Sequence, residues 1–139
     1  MYDTILVATD GSGPGNRAVV HALEQAEQSE ATLHAIYVVD TDRAAEPALS
    51  SIELVTNELE EWGAGELAEI AGRGADIGVE VVTRNCHGKP YQEIITYADE
   101  IDADLVVLGY RGHSHTDTDQ MGSVTDRVVQ NVGRPVLVV

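Results

Sequence analysis

In 139 residues the chain has one cysteine (Cys86), one tryptophan (Trp62), one lysine (Lys89) and no phenylalanine. A single thiol excludes an intrachain disulfide framework. No apolar run approaches the roughly 20 residues that span a bilayer, which excludes a transmembrane helix. Met1-Tyr2-Asp3-Thr4 lacks the basic segment of a signal peptide. Together these absences favour the cytoplasm. Basic residues are scarce as well: 8 Lys and Arg stand against 24 Asp and Glu, for a net charge of −16. Without a basic cluster, nucleic-acid binding by phosphate neutralisation is excluded. The acids are dispersed rather than gathered in a tail, which argues against a disordered segment. Dispersed acid with almost no lysine resembles the surface of a halophilic protein. At 1 M salt the Debye length is about 3 Å and self-repulsion matters little.

What the chain does have is 43% hydrophobic residues, enough to bury one core in a single domain spanning residues 1–139. Thr4 to Thr9 is apolar and β-branched and predicts a first strand. It runs into Asp10-Gly11-Ser12-Gly13-Pro14-Gly15, a dense turn signal read as an ordinary mobile turn. Ala18, Val19, Ala22, Leu23 and Ala26 then repeat at helical spacing, to about Ser29. Thr32 to Val39 predicts a second strand, followed by a polar loop from Asp40 to Pro47. A long helix runs from Leu49 past Ile70, weakened by Gly63 and Gly65 and ended by Gly72 and Gly74. Val79 to Thr83 predicts a third strand, and Cys86-His87-Gly88-Lys89-Pro90 a turn opening a third helix over Ile94, Ile95 and Ala98. Leu105 to Leu108, Val124 to Val132 and Pro135 to Val139 complete the order as strand, helix and strand. Strict alternation with continuous apolar strands predicts a doubly wound α/β fold with a parallel sheet and helices on both faces. Such sheets bind ligands beyond the carboxyl ends of their strands, where strand order reverses.

The stretch with most chemical content is Gly109-x2-Gly112-x9-Gly122-Ser123, in which the first glycine ends a strand and Gly-Ser opens a helix. Free N–H groups at a helix start carry partial positive charge, and glycine lets the backbone approach a ligand, so this is a candidate phosphate cradle. Arg111 and Arg127 are the cations best placed to offset phosphate charge, with a surface ion pair as the alternative for Arg127. Other motifs fall short. Gly11-x-Gly13-x-Gly15 brings its third glycine one residue early for a dinucleotide fingerprint, and no G-x-x-x-x-G-K-[ST] sequence exists. His113, His115, Asp117 and Asp119 alternate and could face one side if extended, but the simpler reading is a solvated loop. Cys86 and His87 are adjacent, so on a strand they face opposite ways and make no nucleophile–base pair. No catalytic apparatus is evident.

The glycine spacing, the Val-Thr after it, the closing Arg134-Pro135-Val136-Leu137-Val138-Val139, the opening Ile5-Leu6-Val7-Ala8-Thr9-Asp10-Gly11-Ser12 and Gly88-x-Pro90-x3-Ile94 together resemble the universal stress protein family. The resemblance covers the whole chain, with Tyr110 in place of a small residue and Met121 in place of leucine. It implies an open five-stranded parallel sheet in the order 3-2-1-4-5, Rossmann-like, and membership of the ATP-binding Gly-x2-Gly-x9-Gly-Ser subgroup. On that analogy Ala8, Thr9 and Asp10 line the adenosine side and the Val38 backbone contacts adenine. Leu108 and Gly109 bracket adenine and ribose, and Gly112, Gly122, Ser123, Val124 and Thr125 hold the phosphates. The alternative reading of Asp10 is a turn or cap residue. The cofactor implied is ATP with Mg²⁺ or Mn²⁺ held through the phosphates. The partners implied are a second copy through the edge strand 136–139 and an unknown regulatory protein. The function expected is a nucleotide-dependent stress or regulatory switch with at most slow ATP hydrolysis. Two alternatives are a nucleotide-free association module and a nucleotide-using hydrolase or transferase.

Overall fold

A computed structural model of the chain describes residues 2–40, 52–110 and 121–139, with the side chains of residues 52–57 excepted. The short β-branched runs form strands because both of their faces are covered. Ile5, Leu6 and Val7 alternate between the two sides of the sheet, yet each is 0% exposed. Burying such a side chain is worth about 1.5–3 kcal/mol. The elements are β1 (Thr4–Thr9), α1 (Gly13–Ser29), β2 (Thr32–Asp40), α2 (Ile52–Asp76), β3 (Val81–Gly88), α3 (Pro90–Ile101), β4 (Leu105–Leu108), α4 (Ser123–Asn131) and β5 (Val136–Val138).

The five strands lie in the order β3-β2-β1-β4-β5 and every neighbouring pair is parallel. This is the predicted doubly wound α/β sheet. Ile5 aligns with Leu33 on one side and Leu105 on the other, so the reversal of strand order falls between β1 and β4. One core cluster joins Val7, Leu33, Ala35 and Tyr37 to α1 and α2, and the other joins Leu6, Ile36 and Val106 to α3 and α4. At the amino ends of the strands, the Asp104 carboxylate accepts the N–H groups of Asp3 and Thr4 at 2.9 and 3.0 Å. Those bonds, Thr4's foremost, hold its carboxyl below the usual carboxylate range. They also fix β4 beside β1, and therefore where the opposite ends of both strands emerge.

Three differences from the sequence reading stand out beyond shifts of a residue or two at element ends. Gly72 and Gly74 do not end α2, which continues to Asp76. A Cβ at Gly74 would collide with the Val81 side chain, so glycine there lets the helix close onto β3. The third strand reaches Gly88 because its polar residues pair with β2 as far as Asp40↔Gly88; an edge strand needs little apolar alternation. Finally, residues 13–15 are no mobile turn but the first turn of α1, capped by Ser12. The expected loop beyond Asp40 lies, apart from Asp40 itself, outside the described residues.

Candidate functional site

At the carboxyl ends of β1, β2 and β4 the sheet opens into a cavity of about 860 Å³. That volume lies in the roughly 300–1,000 Å³ range of small-molecule sites. Its position is the topological switch point, where the helices after β1 and β4 depart to opposite faces of the sheet. Ala8, Thr9, Asp10, Val38, Leu108, Gly109, Gly122, Ser123, Val124 and Thr125 all line this one cavity. Arg111, Gly112 and the alternating His and Asp of 113–119 lie outside the described residues.

At the end of β1, side-chain oxygens turn back on their own backbone. Thr9 Oγ1 accepts the Gly11 N–H at 3.2 Å, Asp10 Oδ1 accepts that of Ser12 at 2.9 Å, and Ser12 Oγ accepts that of Gly15 at 3.1 Å. These are Asx-turn and N-cap bonds, and they organise the entry to α1. Asp10 is therefore a turn-forming residue as well as a wall of the cavity. Gly15 lies under these oxygens: a Cβ there would stand 3.1 Å from Asp10 Oδ1 and 3.3 Å from Ser12 Oγ and Thr9 Oγ1.

The end of β4 is built differently. Gly109 was expected to be glycine so that a ligand could approach. It lines the cavity, and its missing Cβ also makes room for α1, since a methyl there would meet the carbonyl carbon and oxygen of Pro14 at 2.7 and 2.8 Å and the Gly15 nitrogen at 2.9 Å. The Gly109 carbonyl accepts the Thr125 hydroxyl at 2.7 Å, and Thr125 is buried. Across residues 111–120, the chain is closed by a bond from the Gly122 N–H to the Tyr110 carbonyl at 2.8 Å. Gly122 is the N-cap of α4, with φ −61° and ψ 149°, and has no side chain to cap it. Its helix begins with Ser123, whose side is exposed, and Val124 at the cavity wall. First-turn N–H groups have no acceptor within their own helix, so this end can receive an anion.

Between the two helix starts, Ala8, Val38 and Val124 pack half-buried on the core around Ile36, Ile94 and Leu108. They offer an apolar slot suited to a flat ring. Sequence reasoning missed the opposite wall, where Glu58, Trp62, Gly65, Glu66 and Glu69 of α2 line the cavity beside Tyr37. Their spacing is one helical face, which was the available signal. Tyr37 packs its ring where Gly63 has no Cβ, which holds α2 close to β2. Trp62 stays 63% exposed.

The electrostatics of the lining are one-sided. Asp10, Asp40, Glu58, Glu61, Glu66 and Glu69 face the cavity, and no Lys or Arg does so among the described residues. Arg127 lies over the Tyr91 ring at 4.9 Å and is not part of the lining. Cys86 and His87 separate as expected: Cys86 packs toward α3 and α4, and His87 Nδ1 pairs with Glu60 of α2 at 3.0 Å. Burial and the nearby Glu93 push the Cys86 thiol above its ordinary range, so it is no activated nucleophile. No group of three or more His, Cys, Asp or Glu among the described residues could hold a metal ion. No helix among them is long and apolar enough to cross a membrane.

Fold and site thus define an open, doubly wound α/β domain with a ligand-sized cavity at its switch point. Residues 1–139 match the universal stress protein family, and the chain belongs to it. The universal stress protein MJ0531 of Methanocaldococcus jannaschii is 36% identical over 140 residues, covering 100% of this chain and 82% of the relative. Universal stress protein UspA from Lactobacillus plantarum superposes with a TM-score of 0.89 at 26% identity, covering 99% of this chain and 97% of that one. A universal stress protein in complex with cAMP superposes at 0.70 with 29% identity, covering 99% and 96%.

Proposed function

We propose that this chain binds ATP at the switch-point cavity and acts as a nucleotide-dependent stress or regulatory switch in the cytoplasm. The observation that carries the reading is the start of α4, which opens without a side-chain cap beside an apolar slot at the ends of β1, β2 and β4. In this arrangement Ala8, Val38 and Leu108 take the base and Asp10 accepts from ribose hydroxyls. Ser123 and the first-turn N–H groups of α4 take phosphate oxygens, with Arg111 and Gly112 contributing from the connecting segment. The solved relative with cAMP supports an adenine nucleotide. Mg²⁺ or Mn²⁺ enters bound to the phosphates and offsets the carboxylates of the lining. ATP shifts the protein between states only insofar as it binds one better. Hydrolysis is slow at most, because no general base stands out among the described residues. Mass spectrometry of ligand retained by the native purified protein tests the reading, with calorimetry against ATP and Mg²⁺ beside it. Neither retained nucleotide nor binding heat at millimolar ATP would sink it.

The six carboxylates of the lining favour one second reading: the same fold acting by protein association without nucleotide. The calorimetric experiment separates the two. In either case β5 supplies a homodimer contact. It has a neighbour on one side only and its residues are half-exposed, leaving an edge that needs covering. Light scattering at micromolar concentration should give twice the chain mass, and a monomer there would count against it. The net charge of −16 suits a protein of a high-salt interior. Its melting temperature should rise from low salt to molar KCl, and an unchanged value would remove that part of the proposal.

A further inference from the structure

The Thr125 side chain is 6% exposed, and its hydroxyl donates to the Gly109 carbonyl at 2.7 Å. That proton is therefore committed to the end of β4. Gly109 is in turn seated directly on the backbone of Pro14 and Gly15, with no room for even a methyl group between them. One residue at the end of β4 thus fixes the first turn of α1 by contact and the first turn of α4 by a hydrogen bond. In α4 no cap side chain does this work, since Gly122 has none and its own N–H goes to Tyr110.

We propose that Thr125 is a positioning residue for polyphosphate: its bond to Gly109 sets the first turn of α4, and so where the Ser123 and Val124 N–H groups point. It does not itself donate its hydroxyl to phosphate. This rests on the nucleotide reading above and refines it, because it divides the site into two separable parts. Three walls of the apolar slot, Ala8, Val38 and Leu108, stand on the sheet and do not depend on Thr125, while Val124 alone comes from α4. The anion end depends on a single side-chain bond from helix to strand. Removing that bond also leaves the Gly109 carbonyl without its partner, so the turn shifts to recover one.

The test measures adenosine and ATP with Mg²⁺ side by side on the parent protein, Thr125→Val and Thr125→Ser. Valine keeps the shape and loses the bond, whereas serine keeps the bond. Thr125→Val should weaken ATP about tenfold and leave adenosine within about twofold, and Thr125→Ser should restore ATP to near the parent value. A purely structural role would move both ligands together. Should Thr125→Val not fold, Thr125→Ala takes its place in the same comparison. Unchanged ATP affinity in the valine or alanine variant overturns the inference, as does parallel loss of both ligands. A parent that binds adenosine and ATP equally shows that the anion end is not engaged, which overturns it too. A parent that binds neither ligand sinks the nucleotide reading itself, and the inference with it.

Discussion

Two helices begin at the switch point, and their starts are opposites. That of α1 is rich in glycine and has the look of an anion cradle, yet side-chain oxygens take most of the donors there. Gly11, Ser12 and Gly15 give their N–H groups to Thr9, Asp10 and Ser12, and Pro14 has none to give. That of α4 has a bare glycine cap and no side-chain oxygen capping its first N–H groups. The contrast teaches that glycine density does not by itself leave backbone donors open; the side-chain oxygens around them decide.

The severest way to break the contrast is at the residue that touches both. Gly109→Ala should cost about 2–3 kcal/mol in urea unfolding, because its methyl meets backbone atoms at 2.7–2.9 Å that have no rotamer to escape into. A loss below about 0.5 kcal/mol would show the two helix starts to be independent. Next comes Ser123→Pro. Proline is well tolerated at the first helical position, and Gly122 at ψ 149° already has the extended backbone required before it. The substitution deletes one N–H and one hydroxyl, so ATP affinity should fall about tenfold with the melting temperature nearly unchanged. Equal ATP affinity in calorimetry would place the phosphates elsewhere.

The same operation on the closed start should have the opposite signature. Ser12→Ala removes the cap of α1 and should cost about 1 kcal/mol of stability, while ATP binding to the folded protein stays within about twofold. Affinity loss exceeding that of Ser123→Pro would reverse the assignment of open and closed ends. The smallest effect is a control remote from both. His34 Nδ1 lies 2.9 Å from the Tyr97 hydroxyl, and burial holds its pKa below the ordinary 6.5. The folded state therefore binds fewer protons than the unfolded chain between that lowered value and 6.5. Stability from this group is present above pH 6.5 and is lost as pH falls below it. Urea midpoints at pH 7.5 and 5.5 should differ more in the parent than in His34→Gln, with ATP affinity unaffected by the substitution. An equal difference in both proteins would assign the pH response to other groups.

The strands were legible in the sequence because continuous apolar runs such as Leu105–Leu108, alternating with helical segments, suit strands buried on both faces, whereas their order came from the resemblance to the universal stress protein family. Gly109, Gly122 and Ser123 were legible as cavity residues because they fall where a strand ends and a helix starts, whereas Ala8-Thr9-Asp10, Val38, Val124 and Thr125 came from the family resemblance. The α2 wall was not. Glu58, Glu66 and Glu69 have the polarity of a solvent face, and their distance from β2 is set by Tyr37 against Gly63, a contact between elements that local pattern does not carry. Gly74 misled for the same reason, since helix propensity counted against it and packing on Val81 overrode propensity. The role of Gly109 was hidden too, because its neighbour in space is Pro14, far away in sequence.

The bond from the Gly122 N–H to the Tyr110 carbonyl, 2.8 Å long, has a consequence for redesign. It brings together the exit and the return of the chain around residues 111–120, while the Tyr110 N–H is anchored on Val139. Both posts belong to the sheet-and-helix frame. The frame thus fixes the separation of Tyr110 and Gly122, and any connection between two such posts is cheap to lengthen, because closure entropy grows only with the logarithm of length and doubling a loop costs about 0.6 kcal/mol. Grafts of different length between Tyr110 and Gly122 should therefore leave the fold standing, as urea midpoints of such variants would measure.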